Sequence, residues 1–392
     1  MAALAWGAAA CAGSRDGAPA AAAGATNDQG EPSRYHVIKL PTLGGASAGN
    51  SINNLFWVSG QSNLAGDQIM RASLWLFGFF QIDLGTLGGP NSAVLWPVKN
   101  NRGLISGVAE TADLDPLGEE WSCSAFFPTS TGHICRGFVW ERGKMRGLPT
   151  LGGNNGFATG TNNLGQTVGW AENTVRDPTC NPPQVLQFRA VIWGPERDQI
   201  QELPPLRGDT SSSATAINDR GQVVGISGIC SNAVGGFTAA HAVMWQNGVP
   251  TDLGSLGGIA WNTPMAMNQR GDVVGFANVA NTSPPGHFNA HAFLWTQDDG
   301  IRDLGTLPGD LKSQALGINE QRQVVGISCL GAACRAFLWQ DGVMTDLNDR
   351  IASGSRDHLF FANDIDDFGA ITGQSISATG DARAFLAVPT ED

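Results

Sequence analysis

Three short signatures recur in a fixed order, seven times, at intervals of roughly 40–65 residues along this chain. Units this small cannot bury an apolar face alone, so they must stack or close against one another. The first signature is a Leu- and Gly-rich turn. It reads LPTLGG at 40–45, LGTLGG at 84–89, LPTLGG at 148–153, LPPLRG at 203–208, LGSLGG at 253–258 and LGTLPG at 304–309, and a degenerate seventh copy begins at Leu347. The second has the form Asn-x-x-Gly-x-Val-Val-Gly. It starts at Asn53, Asn100, Asn162, Asn218, Asn268, Asn319 and Asp366, followed seven residues later by Gly60, Gly107, Gly169, Gly225, Gly275, Gly326 and Gly373. The third is an apolar run ending in Trp75, Trp140, Trp193, Trp245, Trp295 and Trp339, with Ala387 in the last copy.

Each unit reads as four short strands, a to d. In the fourth, SSATAIN (212–218) is strand a, QVVGIS (222–227) strand b, HAVMW (241–245) strand c and VPTDL (249–253) strand d. The Asn218-Asp219-Arg220-Gly221 segment suits a type I turn closed by a left-handed Gly, and Asn247-Gly248 is a hairpin dipeptide that tolerates positive φ. No stretch carries helical periodicity. The 52 glycines and 20 prolines fit many tight turns, while 42% hydrophobic residues are enough for a core and exclude a disordered chain.

These units predict an all-β fold, a seven-bladed β-propeller of four-stranded blades. The repeats begin in strand d (HVIKL, 36–40) and end in strand c (RAFLA, 383–387), so the N-terminal strand is expected to complete the last blade and remove two free edges. A β-solenoid, which repeats without closing, is the alternative. Strand a is rich in small residues (Ser212, Ser213, Ala214, Ala216) and is expected innermost, with strand d outermost. The repeated Trp is expected between neighbouring blades, with the seam at Ala387 the weakest. Arg322 stands where other units place Gly103, Gly165, Gly221, Gly271 and Gly369, so Arg322→Gly is expected to be neutral or stabilising.

The third signature, in its full form His291-Ala292-Phe293, resembles the HAF family of bacterial extracellular repeats over roughly residues 36–388. The resemblance implies export and supplies no reaction. Several copies lack the His, which argues against a repeated metal ligand.

Residues 1–11 (MAALAWGAAAC) are a signal or lipobox-like segment, 12–34 have linker composition, and 35–392 carry the propeller. The first segment resembles the end of a bacterial lipoprotein signal with Cys11 as the lipidated residue. It has no Lys or Arg before the apolar run, and Ala8 stands where Leu is usual. Ordinary signal-peptidase cleavage near the same Ala run is the alternative. Either route places the protein outside the cytoplasm: secreted, periplasmic or anchored at a bacterial envelope. No segment can span a bilayer, since ASLWLFGFF (72–80) is far shorter than the roughly 20 residues required. The remaining cysteines, Cys123, Cys135, Cys180, Cys230, Cys329 and Cys334, are disulfide candidates. Cys180 and Cys230 fall in loops of adjacent units, and the other four pair off within two loops. The net charge of -12 with no basic stripe excludes nucleic acid as a partner and disfavours an anionic membrane surface.

His241 and His291 share a repeat position with Arg71, Arg136, Arg189, Arg335 and Arg383, which reads as a polar strand start rather than a metal site. Asp83, Asp252, Asp303 and Asp346 precede the Leu of the first signature, where other copies have Lys39, Gly147 and Glu202; they read as acceptors for turn amides. The densest acidic turn, 363–369, has the alternating acids of a calcium loop at Asp364, Asp366 and Asp367 but lacks the bidentate Glu. Calcium there is the one cofactor candidate, against a capped hairpin. No nucleophile elbow, phosphate loop or zinc motif occurs, and no catalytic residue is assigned.

The leading reading is an exported, monomeric scaffold that presents loops to an extracellular protein or glycan. Its binding face is expected to carry the b–c loops, which run from about ten residues to nearly thirty (roughly 109–136), while the hairpins opposite stay short. The alternative is a hydrolase or lyase acting on an extracellular polymer at the channel mouth. A purely structural surface protein is the third reading. Carboxylates converging on a channel mouth would favour catalysis, and apolar loops on one face would favour binding.

Overall fold

The computed structural model describes residues 34–119, 126–233, 239–280 and 289–390. Seven antiparallel sheets follow one another around a ring, each in the order a-b-c-d. The fourth blade, Ser211–Ile217, Val223–Gly228, His241–Gln246 and Val249–Asp252, matches the sequence reading to within one or two residues. Strand a is innermost. Ser211–Ile217 is buried along its whole length and meets the a strands on both sides, whereas strand d of the same blade, Val249–Asp252, pairs only with its own strand c.

The ring closes as the phasing predicts. Tyr35–Lys39 pairs antiparallel with Ala382–Pro389, with Tyr35 opposite Pro389 and Lys39 opposite Phe385. Ala387 shares its core with Tyr35, which is wholly buried, so the closing strand brings the aromatic ring that the last strand c lacks. One detail departs from the four-stranded expectation: Ile351–Gly354 adds a fifth strand, parallel to Tyr35–Lys39. The degenerate seventh turn is the cause. Instead of a Leu-Gly turn, the chain makes a short 3-10 turn over Leu347–Arg350, capped by the Asp346 side chain accepting from the Asn348 amide. It then runs along the closing strand, where Gly354 is needed because a Cβ would collide with the Val37 carbonyl. The edge of the closing strand is thereby covered.

Each residue type of the signatures has a structural cause. The Gly ending the second signature lies opposite a bulge in strand a, as where the register shifts between Ala214 and Ala216. The bulge turns a strand a carbonyl onto that Gly, so a Cβ at Gly60, Gly169, Gly225, Gly326 or Gly373 would run into Ala48, Phe157, Ser213, Gln314 or Phe361 O. The Phe of His-Ala-Phe covers the same Gly: Phe138, Phe293 and Phe337 lie over Gly107, Gly275 and Gly326. The Ala before it sits against the next blade. Its amide donates to a serine there, Ala72 to Ser92, Ala190 to Ser212, Ala292 to Ser313 and Ala384 to Ser47, at 2.8–3.0 Å.

The Trp fills the wedge between blades as expected. Trp75, Trp193 and Trp245 are at most 2% exposed, and their indole N–H donates to Pro41, Pro149 and Pro204 O in the preceding d–a link. These are the links of Leu-Pro form. In the Leu-Gly form the Gly has positive φ, and the preceding acid caps it, Asp83 for Gly85, Asp252 for Gly254 and Asp303 for Gly305.

Two hydrogen-bonded circles bind the blades at their a–b turns. In the first, the leading Asn of the second signature accepts two amides of its own turn at Oδ1. Asn218, for example, accepts from Arg220 and Gln222. Its Nδ2 donates to the next blade, as in Asn162 to Asn218 O at 3.0 Å and Asn319 to Asp366 O at 3.0 Å. The second circle uses the following residue and closes completely. Amides of Asn54, Asn101, Asn163, Asp219, Gln269, Glu320 and Asp367 each donate to the side-chain oxygen of the next member, and Asp367 N returns to Asn54 Oδ1 at 3.1 Å.

Candidate recognition face

Lys99 of the second blade reaches past the inner edge of the first to Asp364 of the seventh, with Nζ 2.5 Å from Oδ1, and also donates to Ile365 O. Asp364 is fully buried, and its other oxygen accepts the Ile52 amide. Burial pushes its carboxyl up, against the pull of Lys99. Beside this pair, Asn363 donates to Gly49 O and Asn50 Oδ1. The three calcium candidates therefore face different partners. Asp364 is paired with Lys99, Asp366 caps its own turn through Phe368 and Ala370, and Asp367 belongs to the second circle and accepts Asn54 Nδ2. The mouth acids Asp219 and Asp367 have both oxygens bonded within that circle. Among the described residues no group of three or more His, Cys, Asp or Glu is arranged to hold a metal ion.

The opposite face carries the b–c loops, and those of the second, third and fourth blades are fastened into one crest. Cys180 and Cys230, in adjacent blades, form a disulfide. Thr179 links the same two loops, its hydroxyl accepting from the Cys230 amide and its carbonyl from the Ser231 amide. On the other side, Glu119 from the long second loop accepts the Val185 and Leu186 amides of the third. Leu114, Val175 and Ile229, each close to the end of a b strand, stand out of this crest at 65%, 51% and 37% exposure. Cys329 and Cys334 close a hairpin in the sixth blade. Cys135 is also disulfide-bonded, whereas Cys123 and Cys11 lie outside the described residues.

Beneath the crest lies a pair of carboxylates that the sequence reading did not single out. Glu119 and Glu172 are each 1% exposed and share Gln184, whose Nε2 is 2.9 Å from Glu172 Oε1 and 3.4 Å from Glu119 Oε1. Glu172 Oε2 accepts the Asn155 amide at 2.7 Å. Burial, then the neighbouring Glu119 charge, pushes Glu172 up to about 7, and burial raises Glu119 as well. Glu110 repeats the arrangement one blade earlier with Asn91. The signal was present as Gly-x-Ala-Glu at 107–110 and 169–172, paired with Asn after each Gly-Gly turn.

The repeated cation and acid positions turn out to be partners across strands c and d. His241 meets Asp252 at 3.3 Å, His291 meets Asp303 at 2.9 Å, Arg189 meets Glu202 at 3.5 Å and Arg335 meets Asp346 at 3.1 Å. They are ties between strands c and d of one blade, formed beside the turn-amide bonds that Asp83, Asp252 and Asp303 also accept.

No family model and no curated protein matches the chain. Among solved structures, it is similar to a gluconolactonase from Xanthomonas campestris at 12% identity and a TM-score of 0.34, over 66% of this chain and 82% of that one. It is also similar to dipeptidyl peptidase 4 of Porphyromonas gingivalis at 9% identity and a TM-score of 0.39, over 84% of this chain and 48% of that one. The chain thus spans about half the length of the peptidase. At these levels neither likeness says anything about chemistry. Among the described residues no helix is long and apolar enough to cross a membrane.

Proposed function

We propose that this protein is an exported recognition scaffold, held at the bacterial envelope through Cys11, that presents its long-loop face to an extracellular protein or glycan. The observation that carries the reading is the fastening of three consecutive long loops by a disulfide, Thr179 and Glu119. Loops fixed before binding lose less entropy on binding, which is the use of a rigid crest. The exposed Leu114, Val175 and Ile229 give it apolar contact points among polar neighbours. The resemblance of the repeats to the HAF family supports the extracellular setting. Catalysis at the channel mouth is not better supported, because the mouth acids Asp219 and Asp367 are already engaged with neighbouring blades.

The test is binding to arrays of envelope and extracellular glycans and purified surface proteins. A ligand bound by the wild type should be lost with Leu114→Ser, Val175→Ser and Ile229→Ser combined, and kept when Lys144→Ser and Arg197→Ser alter the opposite face. The reverse pattern would place recognition on the hairpin face, and turnover of an arrayed polymer would replace binding by catalysis.

A further inference from the structure

We propose that the hairpin face, at the seam between the seventh and first blades, docks on a lipid surface, with Phe77, Phe79 and Phe80 entering the boundary between headgroups and acyl chains. The proposal rests on the reading of the chain as exported and held at the envelope, and it assigns the side of the disc that faces the membrane.

The c–d hairpin of the first blade reads Leu76-Phe77-Gly78-Phe79-Phe80. Its three rings are 59%, 71% and 67% exposed. Other blades turn at the same place with polar residues, Arg142-Gly143, Asn247-Gly248 and Asp341-Gly342. Turn chemistry therefore does not ask for phenylalanine, and at this exposure neither does the core. The hairpin is also braced: the space beside Gly78 is filled by Ile38 and Leu386 of the seventh blade. At the same seam Phe368, 64% exposed, stacks on Phe56 with centroids 6.0 Å apart, next to Leu55 at 44% exposure. A contiguous set of large exposed rings on a braced hairpin marks an interaction surface.

The position of the chain's entry identifies the occupant. Tyr35 lies opposite Pro389 and the Arg34 carbonyl accepts the Thr390 amide, so the strand that follows the N-terminal segment starts on the hairpin face. The segment between Cys11 and Arg34 has linker composition. A lipid on Cys11 would hold the hairpin face, rather than the crest, close to the bilayer. Exposed Arg34 lies at the same point, where a cation can meet lipid phosphates. The long-loop crest then points away from the membrane.

The experiment uses the full chain carrying Cys11→Ser, which cannot be lipidated, with and without Phe77→Asn, Phe79→Ser and Phe80→Ser. Each is floated with vesicles of phosphatidylethanolamine and phosphatidylcholine, with sedimentation and thermal melting in parallel. The expected result is a vesicle-bound fraction that falls roughly fivefold or more in the triple variant, at unchanged melting temperature and with both proteins monomeric. Equal flotation overturns the proposal. A parent that is dimeric and a variant that is monomeric would make a second copy the occupant and overturn it too. The mass of the Cys11 peptide from cells tests the anchor separately: an unmodified Cys11 removes that reading and leaves the flotation result to decide the docking.

Discussion

Arg322 in the sixth blade grips Asp272 in the fifth, with Nε 2.7 Å from one carboxylate oxygen and Nη2 2.9 Å from the other. The sequence places Arg322 at a Gly position, and its φ of 60° confirms the left-handed backbone. The side chain, however, is anchored. Burial opposes ionisation of Asp272, but hydrogen bonds from Arg322 and Asn268 hold its carboxyl below the usual range. The neighbouring blade explains the exception. The residue facing this turn position is Gln222 beside Gly271 and Gln323 beside Gly369, but Asp272 beside Arg322.

Arg322→Gly alone is therefore expected to lower stability by about 1 kcal/mol. Relief of roughly 1–2 kcal/mol of backbone strain is outweighed by a lost charged, bidentate pair. Adding Asp272→Gln, which restores the pairing of other blades, should return the melting temperature to that of the parent or above. A single variant as stable as the parent would mean that the ion pair contributes nothing. The pair's contribution is present above the ordinary Asp range and is lost as pH falls through the depressed Asp272 value.

Asp366 should respond to pH in the opposite sense. Six blades place Asn at this position, and in most of them Nδ2 donates to the leading residue of the next blade's turn. Asp366 Oδ2 is instead buried without a partner. Burial raises its carboxyl to about 6. A folded value above the unfolded one favours folding at low pH, and that contribution is lost as pH rises through about 6. Asp366→Asn should thus stabilise the protein by about 1–3 kcal/mol at pH 8 and by little at pH 4.5. Denaturation at the two pH values checks this, and a gain that did not depend on pH would be evidence against it.

The crest should loosen in mild alkali. Glu172, raised to about 7 beside Glu119, favours the folded clasp below the ordinary Glu range, and that support fades as pH rises through about 7. Hydrogen exchange at the Val185 and Leu186 amides, which Glu119 accepts, should quicken more between pH 6 and 8.5 than intrinsic exchange does. Glu172→Gln should flatten that extra rise. Protection unaffected by pH in the wild type would contradict the coupling.

Trp245→Ala should cost about 3–5 kcal/mol, since the ring is 1% exposed between the third and fourth blades. Trp245→Phe should cost less, part of it about 1 kcal/mol for the lost bond to Pro204 O. Trp295, in a link of Leu-Gly form and only partly buried, should lose less on truncation to Ala. Equal losses at 245 and 295, measured by chemical denaturation, would remove the distinction between the two link forms.

Much of the architecture could be read before any coordinate. Strand order, turn positions, closure by the first strand and the Trp between blades follow from the repeated signatures, because each expresses a short-range requirement met again from blade to blade. Pairing of His241 with Asp252 and of Arg189 with Glu202 was visible too, as two parallel lists of positions, but needed the c–d register to join them. Asp366 stands in a series with six Asn, and only the circle of contacts gives that difference a consequence.

What the sequence alone determined is therefore the disc: its seven blades, their strand order and the closing strand. Only the tertiary structure decided that Lys99 reaches Asp364, that Glu119 holds the Val185 and Leu186 amides, and that Phe77, Phe79 and Phe80 face solvent beside the entry of the chain. The physical reason is that these features occur once each. A periodic pattern reports what every blade must do to close the ring, whereas a unique contact between distant loops, or one exposed hairpin, leaves no echo elsewhere in the chain.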